Sequence, residues 1–250
     1  MTCHCAMNRI YDQAVGYSSL ECVDLRKLQQ LIGINKTIID EYYIAQDDDL
    51  ILVAGAGVGY EAQMIQEAFR LRTFGIDLNI DSNLLAADGN KLQFQKMDLT
   101  FLAFPDDMFA LIYCYHVLEH VQYPKKTLGE LHRVLSPGGI MFIGFPNKNR
   151  VFSYFGTSQR ASLLEKIQWN LNDYRHRIRG TFENECGAHA GFSERGFMGD
   201  SLKIFSSVIP VRNQYMLSKY SRFRMLIKVI IGFKLAEILF PSNYFICKKE

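Results

Sequence analysis

Three glycines at alternate positions, Gly55, Gly57 and Gly59, close an apolar run that starts at Leu50 and lead into a helix-like pattern. Glycine reaches backbone conformations that other residues avoid and leaves no side chain in the way, so such a turn lets the main chain approach a ligand closely. At a strand-to-helix junction it also offers free N–H groups and the positive end of the helix dipole to polar or anionic ligand groups. Asp77 ends the next apolar run, Thr73 to Ile76. A carboxylate at a strand tip can accept both hydroxyls of a ribose, or it can cap a helix. His116, Glu119 and His120 stand as H-x-x-E-H, and His189 follows much later. These four side chains are the candidates for taking a proton from a hydroxyl acceptor.

The elements that must position these residues follow from hydrophobic pattern. Leu50 onward reads as a buried strand, and Ala62, Ile65 and Phe69 recur at helical spacing within a helix expected over Glu61 to Arg72. Asn79 to Ala87 reads as the second crossover, Leu92 to Met97 as a third strand and Phe109 to Tyr115 as a fourth. Pro124 can start a helix through Leu135, after which Pro137-Gly138-Gly139 is expected to turn the chain into a strand over Ile140 to Phe145. Alternation of strand and helix predicts an α/β fold, a Rossmann-like doubly wound parallel sheet with ligands at the carboxyl ends of its strands.

A chain of 250 residues, 48% apolar and 22% charged, is large enough for a sizeable core and needs no second domain. A net charge of +2 without a Lys/Arg block argues against a strongly electrostatic nucleic-acid binder, while nucleic acid as a substrate stays open. The six cysteines are scattered and the N-terminus lacks a leader pattern, which leads us to expect a reduced, cytoplasmic setting. Cys3-His4-Cys5 lacks the usual zinc spacing, and no resident metal is expected.

Residues 50–147 resemble the class I S-adenosylmethionine-dependent methyltransferases, of the type 11-like group. The resemblance rests on LILVAGAGVGYEA (50–62), GIDLN (75–79), MDLTFLAFPDDMFALIYC (97–114), HVLEHV (116–121) and LHRVLSPGG (131–139), which follow in the family's order. It implies a seven-stranded, mostly parallel sheet with antiparallel closing strands, S-adenosylmethionine as cofactor, and the glycine turn beneath its methionine part. By the same resemblance Asp77 would hold the ribose and Leu78 would pack on adenine. Asp98 and the backbone of Leu99 would receive the adenine amino group, and Tyr115 would line the methionine side. The chain departs from the pattern at Val53, where the family usually has an acidic residue, and at Ala110, where it often has aspartate. Tyr60 stands where a dinucleotide fingerprint would need its third glycine, which sets a nicotinamide oxidoreductase behind the methyltransferase reading. A catalytically silent cofactor-binding protein is the other alternative.

Around that core, residues 1–49 are expected to form a helical cover, 148–206 the acceptor region, and 207–250 the closing strands with an apolar crossover. Within the last, Ser207 to Met216 and Tyr244 to Cys247 read as strands, and Ser193 can cap a helix through Phe205. Lys219 to Phe240 reads first as a buried crossover helix and second as a helix making weak contact with a membrane surface. Arg175, Arg177 and Arg179 can meet a phosphate or carboxylate, or form a solvated face. The expected acceptor is a small molecule or glycan methylated on oxygen. The H-x-x-E-H run also resembles the E-x-x-E-H ligand pattern of metal-assisted terminal-ribose RNA methyltransferases. A metal-free site with His120 or His189 as proton acceptor is the expectation.

Overall fold

The computed structural model describes residues 24–80, 91–155, 161–184 and 190–250. His189, the Cys3-His4-Cys5 cluster and most of the expected second crossover lie outside the described residues.

Seven strands form one sheet: β1 (Leu50–Ala54), β2 (Arg72–Asp77), β3 (Leu92–Lys96), β4 (Phe109–Tyr115), β5 (Leu135–Pro146), β6 (Ser207–Pro210) and β7 (Ser242–Lys248), in the spatial order β3-β2-β1-β4-β5-β7-β6. The first five run parallel, and β7 enters antiparallel between β5 and β6. The strand order reverses between β1 and β4, so the carboxyl ends of these two strands flank the crevice in which doubly wound sheets bind ligands.

Alternation along the strands divides the core. Val53, Leu111, Tyr113, Phe142 and Ile246 face one layer, formed by α1 (Leu25–Ile39), α2 (Tyr60–Phe69), α6 (Arg212–Lys219) and α7 (Arg224–Gly232). Leu52, Ile112, Met141, Ile143 and Phe245 face the other, formed by α3 (Pro124–Val134) and α5 (Glu194–Ser201). A period of two places successive residues on opposite faces, and both faces are covered, which is why these strands read as continuous apolar runs. The two remaining helices are α4 (Leu163–Ile178) and α8 (Ala236–Leu239).

Four expectations are corrected. The strand expected over Ser207 to Met216 ends at Pro210, and Arg212–Lys219 is helical. Proline has no N–H for the ladder, the Val211 N–H closes on the Tyr244 carbonyl at 2.8 Å, and Tyr215 and Met216 are then buried from a helix. Lys219 to Phe240 is not one buried crossover helix. It breaks at the 3-10 turn Ser221–Phe223 and again near Lys234, whose φ is +58°, and most of its apolar side chains are exposed. Finally, β5 already begins at Leu135. Pairing advances from Phe109 to Leu111 on β4 while it advances from Leu135 to Ile140 on β5, so Pro137-Gly138-Gly139 forms a bulge inside the strand rather than a turn before it. The helix capped by Ser193 is also shorter than expected, ending at Ser201.

Candidate active site

The glycine turn is tied to β2 by its backbone. The N–H groups of Gly55 and Ala56 both donate to the Ile76 carbonyl at 2.8 Å, and the Gly57 N–H donates to Asp77 Oδ2 at 2.9 Å. Asp77 Oδ1 accepts the Asn79 N–H at 2.9 Å. The carboxylate thus aligns the turn and retains acceptor lone pairs on both oxygens. The three glycines have φ of +75°, +50° and +86°, which explains the residue type at each position. Their surroundings differ. A Cβ on Gly55 would fall 2.2 Å from Val117, so this glycine serves close packing, whereas a Cβ on Gly57 would meet nothing within 4 Å. The open side of Gly57 is where a ligand can lie against the main chain. Leu78 follows Asp77 with 55% of its surface exposed, leaving an apolar face next to the carboxylate. Asp98 is held in a tight turn, its Oδ1 accepting the Thr100 N–H at 2.8 Å, and Leu99 is buried.

The carboxyl end of β4 brings up the second group. Tyr115 ends the strand, and His116 has φ of +54°, an unusual backbone for a residue with a side chain. Its N–H donates to the Gly144 carbonyl at 2.7 Å, and its Nδ1 lies 3.2 Å from Glu119 Oε1. Glu119 is buried, which opposes ionisation, yet the His116 hydrogen bond and the two nearby imidazoles hold its carboxyl below the usual range. Its Oε2 has no hydrogen-bond partner among the described residues. Burial lowers the pKa of His120 below 6.5 against the opposing pull of Glu119 and Asp77, so its imidazole is neutral at pH 7. Leu118–His120 is a single 3-10 turn, so the three side chains do not share an α-helical face. Among the described residues no three His, Cys, Asp or Glu side chains group as a metal-ligand set.

Sequence reasoning missed Glu61. It lies in the first turn of α2, where an acidic residue ordinarily just complements the helix dipole. Here the surrounding protein pushes its carboxyl pKa up to about 8, and its charge bears on Tyr113 and Cys114 of β4. Asn35 of α1 is buried above the same strand, donating to the Tyr113 hydroxyl at 2.7 Å while its Oδ1 has no partner among the described residues. Beside them Tyr115 Oη lies 3.3 Å from Tyr215 Oη, and the Tyr215 and Tyr244 rings stack at 3.8 Å. Burial raises the pKa of Tyr113, Tyr115 and Tyr215 well above 10, so this layer presents neutral hydroxyls.

The segment after β5 is pinned by a buried cation. Arg150 donates to Asp173 Oδ2 at 2.7 Å and to the carbonyls of Asn147 and Ala190, and the Tyr154 hydroxyl donates to Asp173 Oδ1 at 3.1 Å. Arg177, one of the three arginines considered for an anion, donates to the Lys148 and Arg150 carbonyls and lies 3.9 Å over the Phe182 ring. It is engaged in holding α4 in place.

Residues 52–143 match the family model described as a methyltransferase domain. That stretch is similar to a methyltransferase domain and consistent with the class I enzymes. The match begins in β1 and ends in β5, so it contains the glycine turn, Asp77, Asp98 and the H-x-x-E-H run. Among curated proteins the chain is 24% identical over 147 residues to phosphoethanolamine N-methyltransferase 2 of Caenorhabditis elegans, covering 54% of this chain and 33% of that one. It is 28% identical over 116 residues to the sterol 24-C-methyltransferase of Eremothecium gossypii, covering 41% and 31%. The chain therefore spans about a third of the length of these relatives. A solved Haemonchus contortus phosphoethanolamine N-methyltransferase 2, bound to phosphomonomethylethanolamine and S-adenosylhomocysteine, aligns with a TM-score of 0.57 at 14% identity over 87% of this chain and 53% of that one. That likeness establishes the methyltransferase fold, the seven-stranded Rossmann-like sheet with antiparallel closing strands. That solved structure holds S-adenosylhomocysteine, the demethylated form of the cofactor expected from the sequence.

Proposed function

We propose that this chain transfers the sulfonium methyl group of S-adenosylmethionine to an oxygen of a small-molecule or glycan acceptor. The observation that carries the reading is the Gly57–Asp77 hydrogen bond. It sets a carboxylate with free acceptor capacity beside a glycine whose open side leaves the main chain accessible. Asp77 accepts the ribose hydroxyls, Leu78 packs on the adenine, and Asp98 with the Leu99 backbone receives its amino group. Val53 is a core residue and cannot supply the acid usual at its place, so Glu61 takes over the methionine ammonium. A cation beside that carboxyl favours its ionised form.

The bound cofactor supplies an electrophilic methyl group on a positively charged sulfur. The protein's part is to hold an acceptor at near-attack distance and to exclude water. α1 packs against α2 and α6 on one face of the sheet, with Asn35 bonded to Tyr113 two residues before the end of β4. Tyr115 lines the methionine side. His120 is neutral and can receive the acceptor's proton, while Glu119 holds the His116 imidazole through Oε1. Relatives named for phosphoethanolamine and sterol methylation show how widely acceptors differ on this domain. A methyl-transfer screen with isotopically labelled cofactor, against oxygen-bearing small molecules and glycans, tests the acceptor class. Label found only on nitrogen or carbon would contradict it.

A further inference from the structure

The outward faces of α4 and α7 are built the wrong way round for water. The buried residues of α4 are Asn170 and Asp173, whereas Leu164, Ile167, Leu171 and Ile178 stand outward with 73%, 40%, 50% and 87% of their surfaces exposed. Their spacing, i, i+3, i+7 and i+14, makes one stripe along the helix. On α7 and just beyond it, Met225, Val229 and Phe233 are 74%, 50% and 74% exposed. The two surfaces are joined through Val151, whose N–H donates to the Ile238 carbonyl at 2.8 Å and whose carbonyl accepts the Tyr174 hydroxyl at 2.6 Å.

Topology places this surface at the mouth of the site. α4 follows β5, and β6 runs antiparallel to β7, so α6, α7 and α8 all connect strand ends on the carboxyl side of the sheet. Charge is concentrated in the same two segments. In sequence, residues 148–179 hold seven Lys/Arg against two Asp/Glu, of which Arg150 and Asp173 cancel as a buried pair and Arg160 lies outside the described residues, and residues 219–240 hold five against one. Together they carry +9 in a chain whose net charge is +2, which leaves −7 for all the rest.

We propose that the carboxyl face of this protein docks on an anionic phospholipid bilayer, with the stripes of α4 and α7 entering the headgroup boundary and the surrounding Lys and Arg meeting lipid phosphates. Alternating apolar and basic residues are the pattern of helices that lie in a membrane interface. The charge decides between occupants, because a second copy would bring a like-charged face whereas an anionic surface is complementary. Among the described residues no helix is long and apolar enough to cross a membrane, and surface docking needs none. The inference rests on the placement and charge of these segments and not on the proposed acceptor.

Flotation of the full chain with vesicles of phosphatidylcholine alone, or of phosphatidylcholine with phosphatidylglycerol, tests it. Binding is expected to the phosphatidylglycerol vesicles and to weaken as salt is raised. The double variants Met225→Ser/Phe233→Ser and Leu164→Ser/Leu171→Ser, which change exposed side chains only, should each lower binding about tenfold with melting temperature and S-adenosylhomocysteine affinity unchanged. Arg224→Glu/Lys228→Glu should lower it by at least about fivefold for each charge removed. Absence of flotation with phosphatidylglycerol, or variants that float like the parent, would overturn the proposal. Sedimentation showing an oligomer that Met225→Ser/Phe233→Ser disperses, without vesicle binding, would overturn it in favour of self-association.

Discussion

The main-chain N–H of Gly57 donates to the carboxylate of Asp77, twenty residues away in sequence, and so makes the glycine turn and the tip of β2 one unit. Asp77→Asn puts an amide where two N–H groups now donate, so at least one of those bonds must be lost. The expected result is S-adenosylhomocysteine binding weakened by about 1–3 kcal/mol with the far-ultraviolet dichroism preserved. Gly57→Val should weaken it further, since a β-branched side chain at φ +50° is strained and occupies the open side. Calorimetric titration of the folded variants checks both; parental affinity would remove these residues from the site.

Glu61 predicts a proton linked to cofactor binding. Its carboxyl, raised by burial to about 8, is largely protonated at pH 7 and should ionise when the methionine ammonium arrives. Affinity for S-adenosylmethionine should therefore rise from pH 6 to pH 8, with up to one proton released. Titration in buffers of different ionisation heat measures that release, and Glu61→Gln should abolish it. The same shift has a stability sign. A carboxyl with its folded pKa above its unfolded 4.5 contributes stability that is complete below 4.5 and lost as pH rises through about 8. Glu61→Gln should thus gain on the parent in melting temperature progressively as pH rises from about 4.5 to about 8, with no further gain above that.

His120 is neutral at pH 7 because burial lowers its pKa below 6.5. Used as a proton acceptor, it should give methyl transfer that is level above about pH 6.5 and declines in acid as the imidazole takes up a proton. His120→Ala should lower kcat by about 10²-fold or more while leaving cofactor affinity near parental, and should remove the acid limb of the rate profile. A pH series of initial rates on both proteins is the check.

The Arg150–Asp173 pair should matter more for the acceptor region than for the cofactor. Asp173→Ala leaves a guanidinium that is 1% exposed without its carboxylate. A loss of about 3–5 kcal/mol in unfolding free energy is expected from stranding a buried charge. Denaturant melts measure it; a loss under about 1 kcal/mol would mean that the carbonyls around Arg150 suffice.

Much of this site is written locally. Phe109–Tyr115 is the strand expected from its apolar run, and Pro124 opens α3 as its fixed φ suggests. Gly57 and Asp77 could be assigned to one site because strand, turn, helix and strand follow within a short stretch, whereas their direct hydrogen bond has no local sign. What lay hidden depends on distant chain. Val211, Tyr215 and Met216 suit a strand or a helix, and Pro210 was the local sign that the ladder stops. Glu61 resembles any acidic residue in a first helical turn until the overlying structure half-buries it. The outward Leu and Ile of α4 follow an ordinary helical period, and only the burial of Asn170 and Asp173 reveals which face turns in.

The most direct test compares ligands on the full, untagged chain by calorimetry: S-adenosylmethionine, S-adenosylhomocysteine and NAD, each against the parent and Asp77→Asn. Saturable binding of both adenosyl sulfur ligands, none of NAD, and a loss of about 1–3 kcal/mol in the variant are predicted. Binding of NAD with no response to S-adenosylmethionine, or adenosyl binding indifferent to Asp77, would contradict the account.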